Sequence, residues 1–271
     1  SKKKNLDTYL LKGLEIDGVP KQLKKTSFPF EYGNKNKLIS LIKNQNIGVI
    51  KMEVCRNTEP DIKFLKFVSS VAKKKKIVLI FDECTTGFRQ SYGGIHKIFG
   101  VEPDMMVLGK ALGNGYAITS VLGKKNIMNN IKNTFISSTF WTERIGPTAG
   151  IATLDVMKKL KSWEKISDKG RYIKKKINEI AKKNKIKIEF SGLDSLINFT
   201  FKTKHNELFI KFLTSEMLKN GFLAKNSLYV SIAHSKALIE KYLYNLNEIF
   251  IKLSKFDSKK IEEILREDFK R

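Results

Sequence analysis

The sequence has few residues of the kinds that crosslink small or secreted proteins. Its 271 residues include only two cysteines, Cys55 and Cys84, and only three histidines. The cysteines form no CxxC pair and the histidines lack ligand spacing, so we predict neither a disulfide framework nor a metal site. We expect both thiols to be reduced.

Long apolar runs are also absent. No run is long enough to span a bilayer, and the first residues, SKKKNLDTYL, carry charges with no apolar segment behind them. We therefore predict no membrane span, no secretory signal and a cytoplasmic location. Because 41% of the residues are apolar, the chain can still bury a large core as a globular protein.

Arginine is scarce although the chain is strongly basic. The formal net charge is +25, yet only six of the 52 basic residues are arginines, and the lysines are spread along the whole chain. Arginine binds phosphates and base edges better than lysine does. We interpret the charge as a compositional bias on solvated surfaces and predict no nucleic-acid partner.

Apolar periodicity predicts alternating strands and helices in the first part of the chain. Residues 46–54 (NIGVIKMEV) and 76–83 (KIVLIFDE) are rich in β-formers, and apolar residues at helical spacing lie between them, after Pro60-Asp61. Two further apolar runs follow, and then a helical pattern over residues 145–161. Such alternation is typical of a mainly parallel α/β sheet.

The pattern of apolar residues changes near Lys182. From there it predicts short strands around a helix that ends at Gly221. Ser235 has the character of an N-cap for a final helix. We therefore predict a large α/β domain over residues 1–160 and a small α+β domain over residues 161–271.

The stretch IVLIFDECTTGFR, residues 77–89, places two acids directly after five apolar residues. Such a carboxylate could hold magnesium beside a nucleotide phosphate, or it could serve a cofactor that needs a negative charge held out of water. A nucleotide site of the first kind requires a GxxxxGK[ST] loop. The sequence contains none.

Lys110 lies 28 positions after Asp82 (110 minus 82), directly after a short apolar run and among Gly109, Gly113 and Gly115. Small residues allow a planar group to approach the backbone. A lysine that leaves an apolar strand has its charged form disfavoured, which makes it a candidate for Schiff-base formation. Taken alone, Lys110 also fits a solvated lysine beside a glycine turn.

Three motifs carry a family resemblance: FDECTTGFR (81–89), PDMMVLGKALGNGYAI (103–118) and STFWTERIGPTAGIATL (138–154). Together they resemble the class III pyridoxal-phosphate aminotransferases, nearest to the glutamate-1-semialdehyde aminomutase branch. The later segments SGLDSLINFTF and SLYVSIAHS are similar to that branch as well. The resemblance implies a fold type I pyridoxal-phosphate-dependent transferase and the cofactor pyridoxal 5'-phosphate.

The resemblance also implies roles for five residues. Lys110 matches the lysine that holds the cofactor as an aldimine, and Asp82 matches the aspartate that keeps the pyridine nitrogen protonated. Cys84 stands where the family commonly has a valine that packs under the ring. Thr139 matches a threonine that reaches the phosphate in the neighbouring subunit, which implies a homodimer with a shared active site. Glu53 matches a glutamate at a strand end facing the site.

The chain departs from the family in two places. Family members are considerably longer at the N-terminus, where they carry a phosphate cradle, so we expect this chain alone to bind cofactor weakly or not at all, to show little activity and to be oligomeric. No arginine lies between Arg171 and Arg266, so we expect no carboxylate clamp from the C-terminal domain. We interpret Glu83 and Arg89 as an ordinary ion-paired turn.

The predicted function is that of an aminotransferase, which moves an amino group between an amine or amino acid and a keto or aldehyde acceptor through Lys110. One alternative is a glutamate-1-semialdehyde-type intramolecular aminomutase, which needs no separate keto acid. Another is a catalytically silent remnant that only dimerises or binds a partner, which a cofactor titration distinguishes.

Overall fold

The computed structural model describes residues 20–23, 25–55, 59–140 and 142–268. The N-terminal segment SKKKNLDTYL and Trp141 of the third motif therefore lie outside the described residues. The described residues divide into two compact units, one within residues 1–50 and 61–79 and one within residues 51–60 and 80–271. The boundary near residue 160 stays a prediction.

The strands of the described residues form two sheets. They are β1 (Val49–Glu53), β2 (Val78–Asp82), β3 (Met105–Leu108), β4 (Ser120–Gly123), β5 (Ile188–Ser191), β6 (Leu196–Phe201) and β7 (Ser227–Tyr229). The first sheet has the order β1-β2-β3-β4, with β3 parallel to β2 and antiparallel to β4. The second, of order β5-β6-β7, is antiparallel throughout.

Helices precede, connect and follow the strands. They are α1 (Lys35–Asn44), α2 (Ile62–Lys75), α3 (Lys125–Met128), α4 (Ile145–Leu160), α5 (Ser162–Lys183), α6 (Asn206–Lys219), α7 (Lys236–Lys255) and α8 (Ser258–Asp268). None of the helices in the described ranges is both long and apolar enough to cross a membrane. The α/β class predicted from the sequence is confirmed, with a parallel β2–β3 pair in a mixed sheet.

Side-chain caps explain where two of the predicted helices begin. The Asp61 side chain accepts a hydrogen bond from the Phe64 N–H at 2.9 Å, at the start of α2. The Ser235 hydroxyl accepts from the Leu238 N–H at 3.2 Å, at the start of α7. These bonds satisfy N–H groups that have no partner inside the helix. The prediction that Ser235 caps a helix is confirmed, but this helix is not the final one, because α8 follows α7.

The main core of the C-terminal region lies between the second sheet and its helices. In β6 the burial follows the two-residue period of a strand, with Phe199 and Phe201 buried on one face. Helices α5, α6 and α7 cover this face with apolar side chains, which include Ile173, Ile177, Phe212, Leu213, Leu246 and Phe250. This packing fixes the position of the second sheet.

A smaller core lies behind the ends of β2 and β3. Phe88, Leu108 and Leu112 are buried together, and Leu154 and Met157 of α4 pack against them. These residues belong to the loop after β2, the end of β3 and the turn after it. The cluster therefore holds the two segments that carry Asp82 and Lys110 in fixed positions.

Candidate active site

Asp82 and Lys110 follow two neighbouring parallel strands. Asp82 is the last residue of β2 and is paired in register with Val107 of β3, and Lys110 begins the turn directly after β3. The carboxyl ends of parallel strands meet at one edge of a sheet, which is where α/β proteins bind ligands. The structure thus brings together the two residues to which the sequence assigns the main chemistry.

The Asp82 carboxylate is half-buried and already has a cationic partner. Its Oδ2 lies 2.9 Å from the Lys51 ammonium, and its Oδ1 accepts a hydrogen bond from the Cys84 N–H at 3.2 Å. Burial by itself raises the pKa of Asp82, but the bonds from Lys51 and Cys84 and the charges of Lys51 and Lys110 outweigh it and lower the pKa below its ordinary value. Asp82 is therefore a carboxylate that stays ionised and stabilises a positive charge.

Lys110 has an unusual backbone and a defined side-chain partner. Its φ is +43°, in the left-handed region that costs an ordinary residue about 1–2 kcal/mol. The ammonium donates a hydrogen bond to the Thr85 hydroxyl at 2.6 Å. Lys110 is exposed, so the described residues do not provide the apolar surroundings that we expected from the strand before it.

Cys84 lies against the turn that carries Lys110. A Cβ placed on Gly109 would lie 2.7 Å from the Cys84 sulfur, so only glycine fits between the two segments. Cys84 is free and half-buried. The second cysteine, Cys55, is buried, and burial together with the negative charges of Glu83 and Glu53 raises its pKa to about 12.

The expected ion pair between Glu83 and Arg89 is not what the structure shows. Glu83 is fully buried, and its carboxylate accepts hydrogen bonds from the N–H groups of Ile95 and His96 and lies 2.5 Å from the His96 Nδ1. Arg89 instead donates from Nε to the Thr85 carbonyl at 2.7 Å and lies over the Tyr229 ring. A buried carboxylate needs several donors, which two backbone N–H groups and a neighbouring imidazole provide better than a distant arginine.

The remaining two candidates lie at the margin of this group. Glu53 is half-buried at the end of β1. Thr139 is exposed, within an exposed stretch over residues 131–140. Among the described residues, no hydrogen bond or ion pair joins Thr139 to Asp82 or Lys110.

Two contacts of the site were missed from the sequence, those of Lys51 and Thr85. Lys51 is one of many lysines, and nothing in its local pattern distinguishes it. Thr85 lies inside the motif FDECTTGFR, so the sequence shows that it is close to Asp82. The sequence does not show that it contacts Lys110, which is 25 positions away. The assumption that strands β2 and β3 are adjacent and parallel would have predicted the contact between Thr85 and Lys110, because both residues follow these strands.

The residues present fit the aldehyde and ring of pyridoxal phosphate. An aldehyde requires an amine and a protonated pyridine nitrogen requires a carboxylate, and Lys110 and Asp82 supply these groups at one sheet edge. The Lys51 ammonium shows that a cation is stable at the Asp82 carboxylate.

Comparison with known proteins identifies the family of the chain. The family model described as class-III aminotransferase matches residues 57–248, which include Asp82, Cys84, Lys110 and Thr139 but not Glu53. The chain belongs to the class-III aminotransferases. The resemblance inferred from the three motifs is thereby confirmed.

Curated relatives of this family member cover most of the chain. The chain is 32% identical over 211 residues to the glutamate-1-semialdehyde 2,1-aminomutase of Thermodesulfovibrio yellowstonii, covering 72% of this chain and 49% of that protein. It is 29% identical over 206 residues to the 3-aminobutyryl-CoA aminotransferase of Cloacimonas acidaminovorans, covering 73% of this chain and 50% of that protein. The chain thus spans about half the length of these relatives.

Solved structures show the same fold. An omega-transaminase from Sphaerobacter thermophilus superposes with a TM-score of 0.77 at 17% identity, covering 89% of this chain and 60% of that one. A structure described as a transaminase with PLP bound gives a TM-score of 0.78 at 18% identity, covering 89% of this chain and 61% of that one. The fold predicted from the sequence, that of the fold type I transferases, is therefore confirmed.

Proposed function

We propose that this chain forms the part of a pyridoxal-phosphate-dependent aminotransferase that carries the cofactor lysine and the ring-nitrogen aspartate. The observation that carries the proposal is the placement of Lys110 and Asp82 at the ends of adjacent parallel strands. Family membership and a relative named as an aminotransferase support it. The substrates would be an amine or amino acid and a keto or aldehyde acceptor.

Each residue of the group has a task that its surroundings support. When bound, pyridoxal phosphate supplies an electron sink through its protonated ring. Asp82, ionised because of its positive neighbours, would hold the proton on the ring nitrogen. Lys110 would provide the amine that attaches the cofactor, and after an incoming amine has displaced it, its free Nζ would move a proton as general base and acid. Cys84 lies against Gly109, directly before Lys110, and would pack under the ring.

An intramolecular aminomutase is the second candidate, because several curated relatives carry that name, one of them 30% identical over 255 residues. The same Lys110 and Asp82 would serve both reactions. An aminotransferase requires a separate keto acid or aldehyde as acceptor, whereas an aminomutase retains the amino group. Product formation with and without an added acceptor separates the two.

We further propose that the protein acts as a cytoplasmic homodimer. Large apolar side chains are exposed on both sides of Thr139, and those of Phe135 and Phe140 are 94% and 75% exposed. Exposed apolar clusters of this kind mark protein–protein contacts. Both cysteines are free, as is usual in a reducing compartment. Light scattering tests the dimer, and a monodisperse monomer would contradict it.

Reductive labelling tests the role of Lys110. The chain is incubated with pyridoxal phosphate, reduced with borohydride and digested, and the pyridoxyl label on each lysine is measured by mass spectrometry. We expect the label to concentrate on Lys110 and to fall in Asp82→Asn, because the asparagine no longer stabilises a protonated ring nitrogen.

Lys124→Ala is the matched control, because its side chain also pairs with an aspartate, at 2.7 Å from Asp104. This variant should retain the Lys110 label. A label spread evenly over the many lysines, or concentrated on another one, would overturn the assignment of Lys110.

A further inference from the structure

Thr85 restricts where the Lys110 amine lies. Its hydroxyl accepts a hydrogen bond from the Lys110 Nζ at 2.6 Å, and the residue itself is buried. Because Lys110 is exposed and its side chain has four rotatable bonds, a single fixed acceptor decides the position and direction of the amine. The hydroxyl therefore defines a resting place for the amine.

Arg89 fixes Thr85 from one side. The Arg89 Nε donates to the Thr85 carbonyl oxygen at 2.7 Å, and the guanidinium carbon lies 5.2 Å from the centre of the Tyr229 ring. A guanidinium over an aromatic face is attracted to it. Tyr229 is the last residue of β7, so this contact connects the loop after β2 to the second sheet.

Glu83 fixes the same loop from the other side. Its buried carboxylate binds the turn that begins with Ile95 and His96. Its carbonyl accepts the Gly87 N–H at 2.8 Å, which closes the loop around Thr85. Because both ends of the loop are held, the Thr85 hydroxyl cannot follow the lysine and instead constrains it.

We propose that Thr85 is a positioning residue for Lys110, and that Arg89 and Tyr229 couple this position to the C-terminal sheet. The inference rests on the proposed function. An amine that attaches a cofactor, is released and later returns must find one orientation repeatedly, and misplacement by about 1 Å is costly in rate. The hydroxyl supplies that orientation through a bond to the amine itself.

The test measures the amine in the protein as it exists, without cofactor. The chain is acetylated briefly with acetic anhydride at constant pH, and the rate at Lys110 is divided by the rate at Lys124 in the same digest. Lys124 is the internal reference because Asp104 holds its ammonium in a comparable way. Since no pyridoxal phosphate is present, this result is independent of the labelling that tests the proposed function.

Valine and serine at position 85 separate the hydrogen bond from the packing. Thr85→Val keeps the shape but removes the acceptor, and we expect the Lys110/Lys124 ratio to rise about fivefold, the effect of one lost hydrogen bond. Thr85→Ser retains the hydroxyl and should leave the ratio within about twofold of the parent. If the valine variant does not fold, Thr85→Ala gives the same comparison.

Two outcomes would overturn the role of Thr85. One is an unchanged or lower ratio in the valine variant, and the other is an equal rise in the serine variant. Thermal unfolding of each variant separates this role from packing. If Thr85 acted only through packing, its variants would change the unfolding midpoint, and the change would not depend on the hydroxyl group.

The coupling to the second sheet has its own pair of variants. Tyr229→Phe keeps the ring under the guanidinium and should leave the ratio unchanged, whereas Tyr229→Ala removes the ring and should raise the ratio about twofold. Arg89→Lys retains the charge but loses the Nε–H that holds Thr85, so we expect a rise there too. Identical ratios in the two Tyr229 variants would refute the coupling.

Discussion

The Lys51 ammonium lies 2.9 Å from the Asp82 carboxylate, on a neighbouring strand of the same sheet. This carboxylate is the one that a protonated pyridine nitrogen requires. Lys51 and the cofactor ring therefore compete for a single negative charge. The Lys51 side chain is largely exposed, so water can solvate its ammonium group when the cofactor ring binds at Asp82.

Replacing Lys51 with methionine should favour cofactor attachment. The variant keeps the apolar stem and removes the competing charge, so we expect pyridoxyl label at Lys110 to increase about two- to fivefold, the range of an exposed ion pair. Lys124→Met is the matched control, since the Lys124–Asp104 pair has nearly the same exposure. Equal gains in the two variants, or a loss in the first, would show that Lys51 does not compete for Asp82.

The left-handed backbone of Lys110 predicts an unusual order of stabilities. We expect Lys110→Gly to be about 0.5–1 kcal/mol more stable to urea unfolding than Lys110→Ala, because glycine adopts a positive φ without steric cost. At Lys175, an exposed position inside α5, the glycine variant should be the less stable one, because glycine costs about 1 kcal/mol relative to alanine in a helix interior. The same order at both positions would argue against strain at Lys110.

Glu216 predicts a loss of stability in acid. Burial by itself raises the pKa of Glu216, but hydrogen bonds from Lys219 and Lys252 and their charges outweigh it and lower the pKa below 4.5. A carboxyl group whose pKa is lower in the folded state stabilises the fold at pH values above its pKa in the unfolded state. This contribution disappears as the pH falls through the pKa of the folded state.

We therefore expect Glu216→Gln to lower the free energy of unfolding by about 1.5–3 kcal/mol at pH 7. The difference between the variant and the parent chain should shrink below pH 4.5. The measurement is urea unfolding at several pH values. Glu179→Gln, which removes an exposed pair with Lys176, should lower the free energy of unfolding by clearly less than Glu216→Gln does, because water screens exposed charges. A pH-independent cost at Glu216 would mean that its charge does not matter.

Gly170 allows α5 to approach the β5–β6 turn. A Cβ at this position would lie 1.9 Å from the Asp194 carbonyl oxygen, which is backbone and cannot move aside like a side chain. We expect Gly170→Ala to lower the free energy of unfolding by about 1–3 kcal/mol. Gly48→Ala, with no atom within 4 Å of the added Cβ, is the control, and a similar loss there would contradict a steric cause.

Much of the local structure follows from the sequence by itself. Helix α2 begins after Asp61 because an apolar stripe of helical period is preceded by a capping side chain, and both signals lie within a few residues. Asp82 and Lys110 were found in the same way, since an acid after an apolar strand and a lysine among glycines are local patterns. Local patterns therefore predicted the main strands and helices, and together with the family motifs they predicted Asp82 and Lys110 as site residues.

Only the tertiary structure decided which side chains meet. Thr85 and Lys110 are 25 positions apart, and they meet because β2 and β3 are adjacent and parallel. Arg89 lies over Tyr229 because the second sheet packs where the loop after β2 can reach it. A hydrogen bond requires the donor–acceptor distance to be correct within a few tenths of an ångström. This distance depends on strand order, register and loop path, which no local pattern of residues encodes.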